Sequence, residues 1–165
     1  MRYKGENKIE FSCEKEKNVT IVLGYNTVGK TTIAQAFRWC LYEAVLAERG
    51  KRQADYQLLN ADTLALMDAN SRAKVWVKLI ATDEEKRYTI HRETVYKRAY
   101  PSMIAEEFQK KLTMHISDIH SQQSLVEVDT KKVDELINEL FPRNLSHYFL
   151  FDGERWNDIS VNGVK

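Results

Sequence analysis

A chain of 165 residues with 43% hydrophobic content can bury one substantial core and makes no more than one ordinary domain. Charge is plentiful but balanced: 25 basic residues against 24 acidic leave a formal net charge of +1, so no overall field gathers nucleic acid. Cys13 and Cys40 are too few for a disulfide framework, and without a secretory leader or a long apolar run the sequence reads as soluble and cytoplasmic, with no membrane partner.

In the opening M-R-Y-K-G-E-N-K-I-E-F, Ile9 and Phe11 alternate with charged neighbours as in an antiparallel strand, and the polar E-K-E-K-N tract turns the chain back. Val19 to Leu23 is an apolar, β-branched run that predicts a buried strand, ended by Gly24. After Thr31 the residues Ile33, Phe37, Cys40, Leu41, Ala44 and Val45 recur at helical spacing, and Glu48 to Lys51 carries helix stop signals. The connection reads G-Y-N-T-V-G-K-T and fits the phosphate-binding pattern G-x-x-x-x-G-K-[ST], with Gly24, Gly29, Lys30 and Thr31 at the fixed positions. In such a loop main-chain amides curl around a polyphosphate at the positive end of a helix, and glycine permits the backbone conformation and the close approach. Lys30 would reach the β- and γ-phosphates, and the Thr31 hydroxyl would ligate Mg²⁺. The plainer alternative is a glycine turn between a strand and a core helix, with an exposed lysine.

Leu58, Leu59, Leu64, Leu66 and Met67 fit a short helix or a packed loop. From Ala73 the period becomes two: Val75, Val77 and Leu79 alternate with Lys74, Trp76 and Lys78, D-E-E-K turns the chain, and Tyr88, Ile90 and Arg92 alternate with Thr89, His91 and Glu93. This predicts a β-hairpin. Ser102 to Lys111 fits a short helix around Ile104, Ala105 and Phe108, followed by a strand through Leu112, Met114 and Ile116. Asp129 or Thr130 would cap a helix running to Phe141, with Val133, Leu136, Ile137 and Leu140 on its buried face and Pro142 as its stop. The four histidines lack companions at metal-ligand spacing.

A second chemical stretch, Y-F-L-F-D-G-E-R-W at residues 148 to 156, reads as a buried strand delivering Asp152 and Glu154 to its end. A carboxylate there would hold Mg²⁺ or position an attacking water; the alternative is an Asp-Gly turn with both acids solvated. L-I-A-T-D-E at residues 79 to 84 is a weaker rival, because it falls in the hairpin turn.

Taken together, R-Y-K-G-x-N-x-I-x-F, G-Y-N-T-V-G-K-T-T and L-F-P-R-N-L-S-H-Y-F-L-F-D-G-E-R resemble the N-terminal half of SMC/SbcC-type ABC ATPases, most of all the ATPases of bacterial DNA phosphorothioation systems. The resemblance implies an α/β P-loop NTPase fold, a single N-terminal lobe over residues 1–165 with a mixed sheet and antiparallel β-hairpins. It implies that Gly24, Asn26, Thr27, Val28, Gly29, Lys30, Thr31 and Thr32 hold ATP and that the segment Arg2 to Lys4, with Arg2 foremost, touches the base or α-phosphate. Lys30, Asp152 and Glu154 would serve catalysis, with Thr31 and Asp152 on Mg²⁺. Family loops usually read N-G-x-G-K, whereas Thr27 and Val28 stand here, and β-branched residues restrict the backbone.

The six glycines include no adjacent pair, so the family's S-G-G signature is absent from this sequence. The expectation is therefore a fragment whose coiled coil and C-terminal lobe lie beyond Lys165. The whole ATPase would couple ATP binding and hydrolysis to dimerisation with a second head, acting on DNA with other modification or defence subunits, while the isolated lobe would be weakly active or inactive. Alternatives are a stand-alone P-loop kinase or GTPase, though neither N-K-x-D nor D-x-x-G occurs, and a non-catalytic interaction module with a vestigial loop.

Overall fold

The alternation that starts at Ala73 becomes the frame on which the helices sit. The computed structural model describes residues 3–14, 16–17, 19–25, 28–45, 58–98, 105–121 and 126–146. Strands β1 (Arg72–Thr82), β2 (Lys86–Arg98), β3 (Ala105–Asp118) and β4 (Val126–Glu127) form one sheet in sequence order, each neighbouring pair antiparallel. The predicted hairpin is β1–β2, with Val77 opposite Arg92 and Leu79 opposite Ile90. The carboxylate of Asp83 fastens its turn, accepting the amides of Lys86 (2.6 Å) and Glu85 (2.8 Å) and the Tyr88 hydroxyl (2.8 Å). These donors, the two amides foremost, hold the Asp83 carboxyl below its ordinary range.

Two expectations give way to the sheet. Residues from Ala105 onward are strand and not helix, because pairing with β2 takes up their main-chain groups across Arg98↔Ala105 and Tyr96↔Glu107, after a register shift between Val95 and Tyr96. Ala105 is buried, while Phe108 is half exposed beneath the Arg72 guanidinium, 4.2 Å from its ring centre. No parallel pair occurs among the described strands, so the sheet is antiparallel where a mixed one was expected.

One face of the sheet carries the helices. Helix α1 (Lys30–Tyr42) and helix α3 (Thr130–Leu140) pack Cys40, Leu41, Val133 and Ile137 against Tyr88, Ile90 and Met114. Beside them Trp39 joins Leu58, Leu59 and Met67 around Tyr96. Between these lies α2 (Ala61–Ala65), capped by the Asn60 side chain on the amides of Asp62 and Thr63. Asp129 caps α3 through the Lys131 amide, as its sequence predicts.

Helix α1 ends earlier than the E-R-G-K tract implied. Glu43 adopts a left-handed conformation with φ 52° and returns its amide to Trp39. Arg92, only 7% exposed, donates from Nε to the Cys40 carbonyl (2.8 Å) and from Nη1 to Glu43 (3.2 Å), with Asp134 at 3.6 Å from Nη2. A fixed cation thus receives the helix's negative end, where continuing the helix would move those acceptors away.

The expected N-terminal strands do not form among the described residues. The polar turn forms a single antiparallel bridge, Glu14↔Lys17, and Phe11 stacks edge-on against Phe37 of α1 at 5.4 Å. Residues 19–23 pair with no strand among the described residues, and Val19, Ile21 and Leu23 are 77%, 75% and 87% exposed. A buried strand needs neighbours on both edges, and none of the described elements supplies one. Among the described residues no helix is long and apolar enough to cross a membrane.

Burial pushes the Cys40 thiol up to about 11, whereas Cys13 is exposed. Alkylation should therefore label Cys13 quickly and Cys40 only through opening of the core. Arg92→Met, which leaves the Cys40 carbonyl without its charged donor, should lower stability in urea by about 2 kcal/mol and speed Cys40 labelling roughly thirtyfold. A depressed acid stabilises the fold above its unfolded pKa and loses that contribution as pH falls through the folded value. Stability lost on acidification should thus shrink in Asp83→Asn, read from urea midpoints between neutral and acid pH.

Candidate nucleotide-binding site

A loop that aims main-chain amides at an anion must leave the right-handed backbone region, and Gly29 is where it does so. Its φ is 105° and ψ 13°, and it caps α1 without any side-chain hydrogen bond. The first turn of α1, Lys30 to Ile33, contains no acidic residue, so the positive helix end is electrostatically unopposed.

Close approach explains the other glycine. A Cβ on Gly24 would stand 2.9 Å from Val28 Cγ2, so the beginning and end of the loop touch at this point. The Lys30 ammonium fastens them, donating to the carbonyls of Gly24 (2.7 Å) and Tyr25 (2.8 Å). The Thr31 side chain is exposed and Thr32 half-buried, both in the first turn.

Tyr3 completes the described site, within the Arg2 to Lys4 segment that was expected near the base or phosphates. The ring of Tyr3 lies against Gly29, 3.3 Å from where a Cβ would be, and its hydroxyl donates to the Gly29 carbonyl at 3.5 Å. No spacing rule marks a partner 26 residues away; the one hint is its place in the R-Y-K segment. Lys4 turns instead to Asp62 at 2.9 Å, an exposed ion pair worth little to stability.

The structure therefore brings together Gly24, Val28, Gly29, Lys30, Thr31 and Thr32. Arg2, Asn26, Thr27, Asp152 and Glu154 lie outside the described residues. The rival acid, Asp83, is consumed by its own turn. Among the described residues no group of three or more His, Cys, Asp or Glu could hold a metal ion.

Gly29→Ala should destabilise the chain by about 1–2 kcal/mol in urea because of its left-handed backbone. Gly24→Ala should be harmful alone but nearly neutral in a Val28→Ala background, a coupling that a double-mutant cycle measures.

No curated protein and no solved structure matches the chain. A family described as AAA domain matches residues 1–160, almost the entire length. With a glycine-framed loop, a lysine across its mouth and a bare helix end behind it, the chain belongs to the AAA domain family, of the SMC/SbcC-like kind.

Proposed function

We propose that this chain is the ATP-binding half of an SMC/SbcC-type ABC ATPase. The observation that carries the reading is the unopposed positive end of α1, opened by left-handed Gly29 and flanked by the Lys30 ammonium. The described residues fit a magnesium triphosphate: uncapped amides, a cation, an exposed hydroxyl and no acid in the first turn. Lys30 would exchange the Gly24 and Tyr25 carbonyls for β- and γ-phosphate oxygens, Thr31 would hold Mg²⁺ with Asp152, and Glu154 or Asp152 would orient the attacking water. Bound Mg²⁺ would neutralise charge on the phosphates. Asn26, Thr27 and Val28 would contribute loop amides, and Arg2 would meet the base or α-phosphate.

The uncovered run at residues 19–23 supports the second half of the proposal. Its neighbours in the sheet would come from the protein's own C-terminal lobe, and a second head would supply the signature that stabilises transition-state charge. The end motifs favour DndD, the ATPase of DNA phosphorothioation systems, with DNA and other modification or defence subunits as cytoplasmic partners.

Titration with Mg·ATP, followed by tryptophan fluorescence, should saturate, and Lys30→Ala should weaken binding at least tenfold. The isolated chain should turn ATP over slowly. Silence in the titration would remove the nucleotide reading; phosphate transfer to a small molecule by the lone chain would point to a stand-alone kinase instead.

A further inference from the structure

The sheet has a second face, and no described element covers it. Opposite the helices, β1 presents Lys74, Trp76 and Lys78 in alternation, with His91 of β2 facing Lys78 and Lys111 of β3 facing Glu93 across the register. Trp76 and His91 meet edge-to-face at 5.8 Å, at the floor of a groove of about 440 Å³. Trp76 is 38% exposed, well above what a core tryptophan retains.

Basic residues outnumber acidic ones in the lining of this groove, while Glu127, opposite His115, and Glu106, opposite Lys97, lie farther along the same face. Glu93 is the sole carboxylate lining the groove, and Lys74 already neutralises it at 3.0 Å. Neither Lys78 nor Lys111 forms an ion pair among the described residues. Burial lowers the His91 pKa, opposed by Glu93, with Lys78, Lys74 and Lys111 adding smaller contributions in the direction of burial. The chain's overall balance of +1 conceals this local excess.

The arrangement is also periodic. Lys74 and Lys78 stand four positions apart on one strand, about 13 Å, with the indole midway. A strand of phosphates can lie along such cations while a base stacks on the ring between them; a paired duplex keeps its bases stacked inside and out of reach of a surface aromatic. We propose that this open face is a platform for single-stranded nucleic acid, with Trp76 as the stacking surface and Lys78 and Lys111 as phosphate contacts. The platform is independent of the phosphate loop and stands whether or not the chain binds ATP.

Fluorescence anisotropy of a labelled oligothymidylate of about 20 nucleotides, titrated with the full chain at about 50 mM salt and upward, tests it. Binding should weaken with salt. The double variant Lys78→Glu, Lys111→Glu should lose at least tenfold in affinity and show a shallower salt slope. Trp76→Leu should lose at least fivefold with the slope unchanged, and Trp76→Phe should recover most of it. Both lysines are exposed, so circular dichroism melts of the lysine variant should match the parent, and Lys30→Ala should bind the oligonucleotide normally. Absence of binding by the parent chain overturns the proposal, as does indifference to the lysine changes. Equal affinity for a duplex with no effect of Trp76→Leu would assign the face to duplex backbone, and equal competition by polyglutamate would reduce it to a generic cationic surface; either result also overturns it.

Discussion

The guanidinium of Arg92 is the point on which the described fold turns. It rises from the helix-covered face of β2 into a nearly dry position, takes the carbonyl at the end of α1, and reaches Glu43 and Asp134 on either side. Lys110 of β3 adds a second cation to Glu43 at 2.6 Å, so two neighbouring strands grip the same helix terminus. A buried cation is tolerable only when its donors are used, and here the acceptors come from α1, its C-cap residue and α3. The bracket therefore locates α1 and α3 on the sheet at once, and it does so at the helix end opposite Gly29.

That separation matters for the site. The thirteen residues of α1 form a rod of about 20 Å, anchored at its negative end by the sheet and ending at its positive end in Gly29. The loop need only solve a local problem, how to turn the chain without covering the first amides. It does so with one left-handed glycine, one glycine that admits Val28, and one lysine across the mouth. Phe11 on Phe37 and Tyr3 on Gly29 run the N-terminal segment along the same rod.

What could be read from residue order divides along physical lines. The hairpin was legible because one side of β1 and β2 is buried and the other is not, which writes period two into Val75 to Glu93. The cap at Asp129 and the loop glycines were legible because each meets a need within a few residues. The strand at Ala105 was not, since its local pattern suits a helix and only the edge of β2 decides otherwise. The run at Val19 read as buried because composition reports what a segment can bury, not whether a neighbour is present to cover it. Arg92 fell on the inward register among Tyr88 and Ile90, yet nothing nearby in the chain announces that it serves a helix fifty residues earlier, about the separation from Cys40. Tyr3 was expected near the nucleotide with the rest of the R-Y-K segment, but its contact with Gly29, 26 residues away, has no local mark in the chain.

The bare ribbon V-T-I-V-L bears on how the polypeptide behaves outside the company it evolved with. It holds no charge and no proline, and its main chain has no described partner, the composition that lets copies stack edge to edge. Concentrated preparations should consequently drift toward insoluble aggregates, and production alongside a covering polypeptide is the natural remedy. Inside a cell, the same ribbon would make a chain left uncovered a ready client for chaperones and proteases.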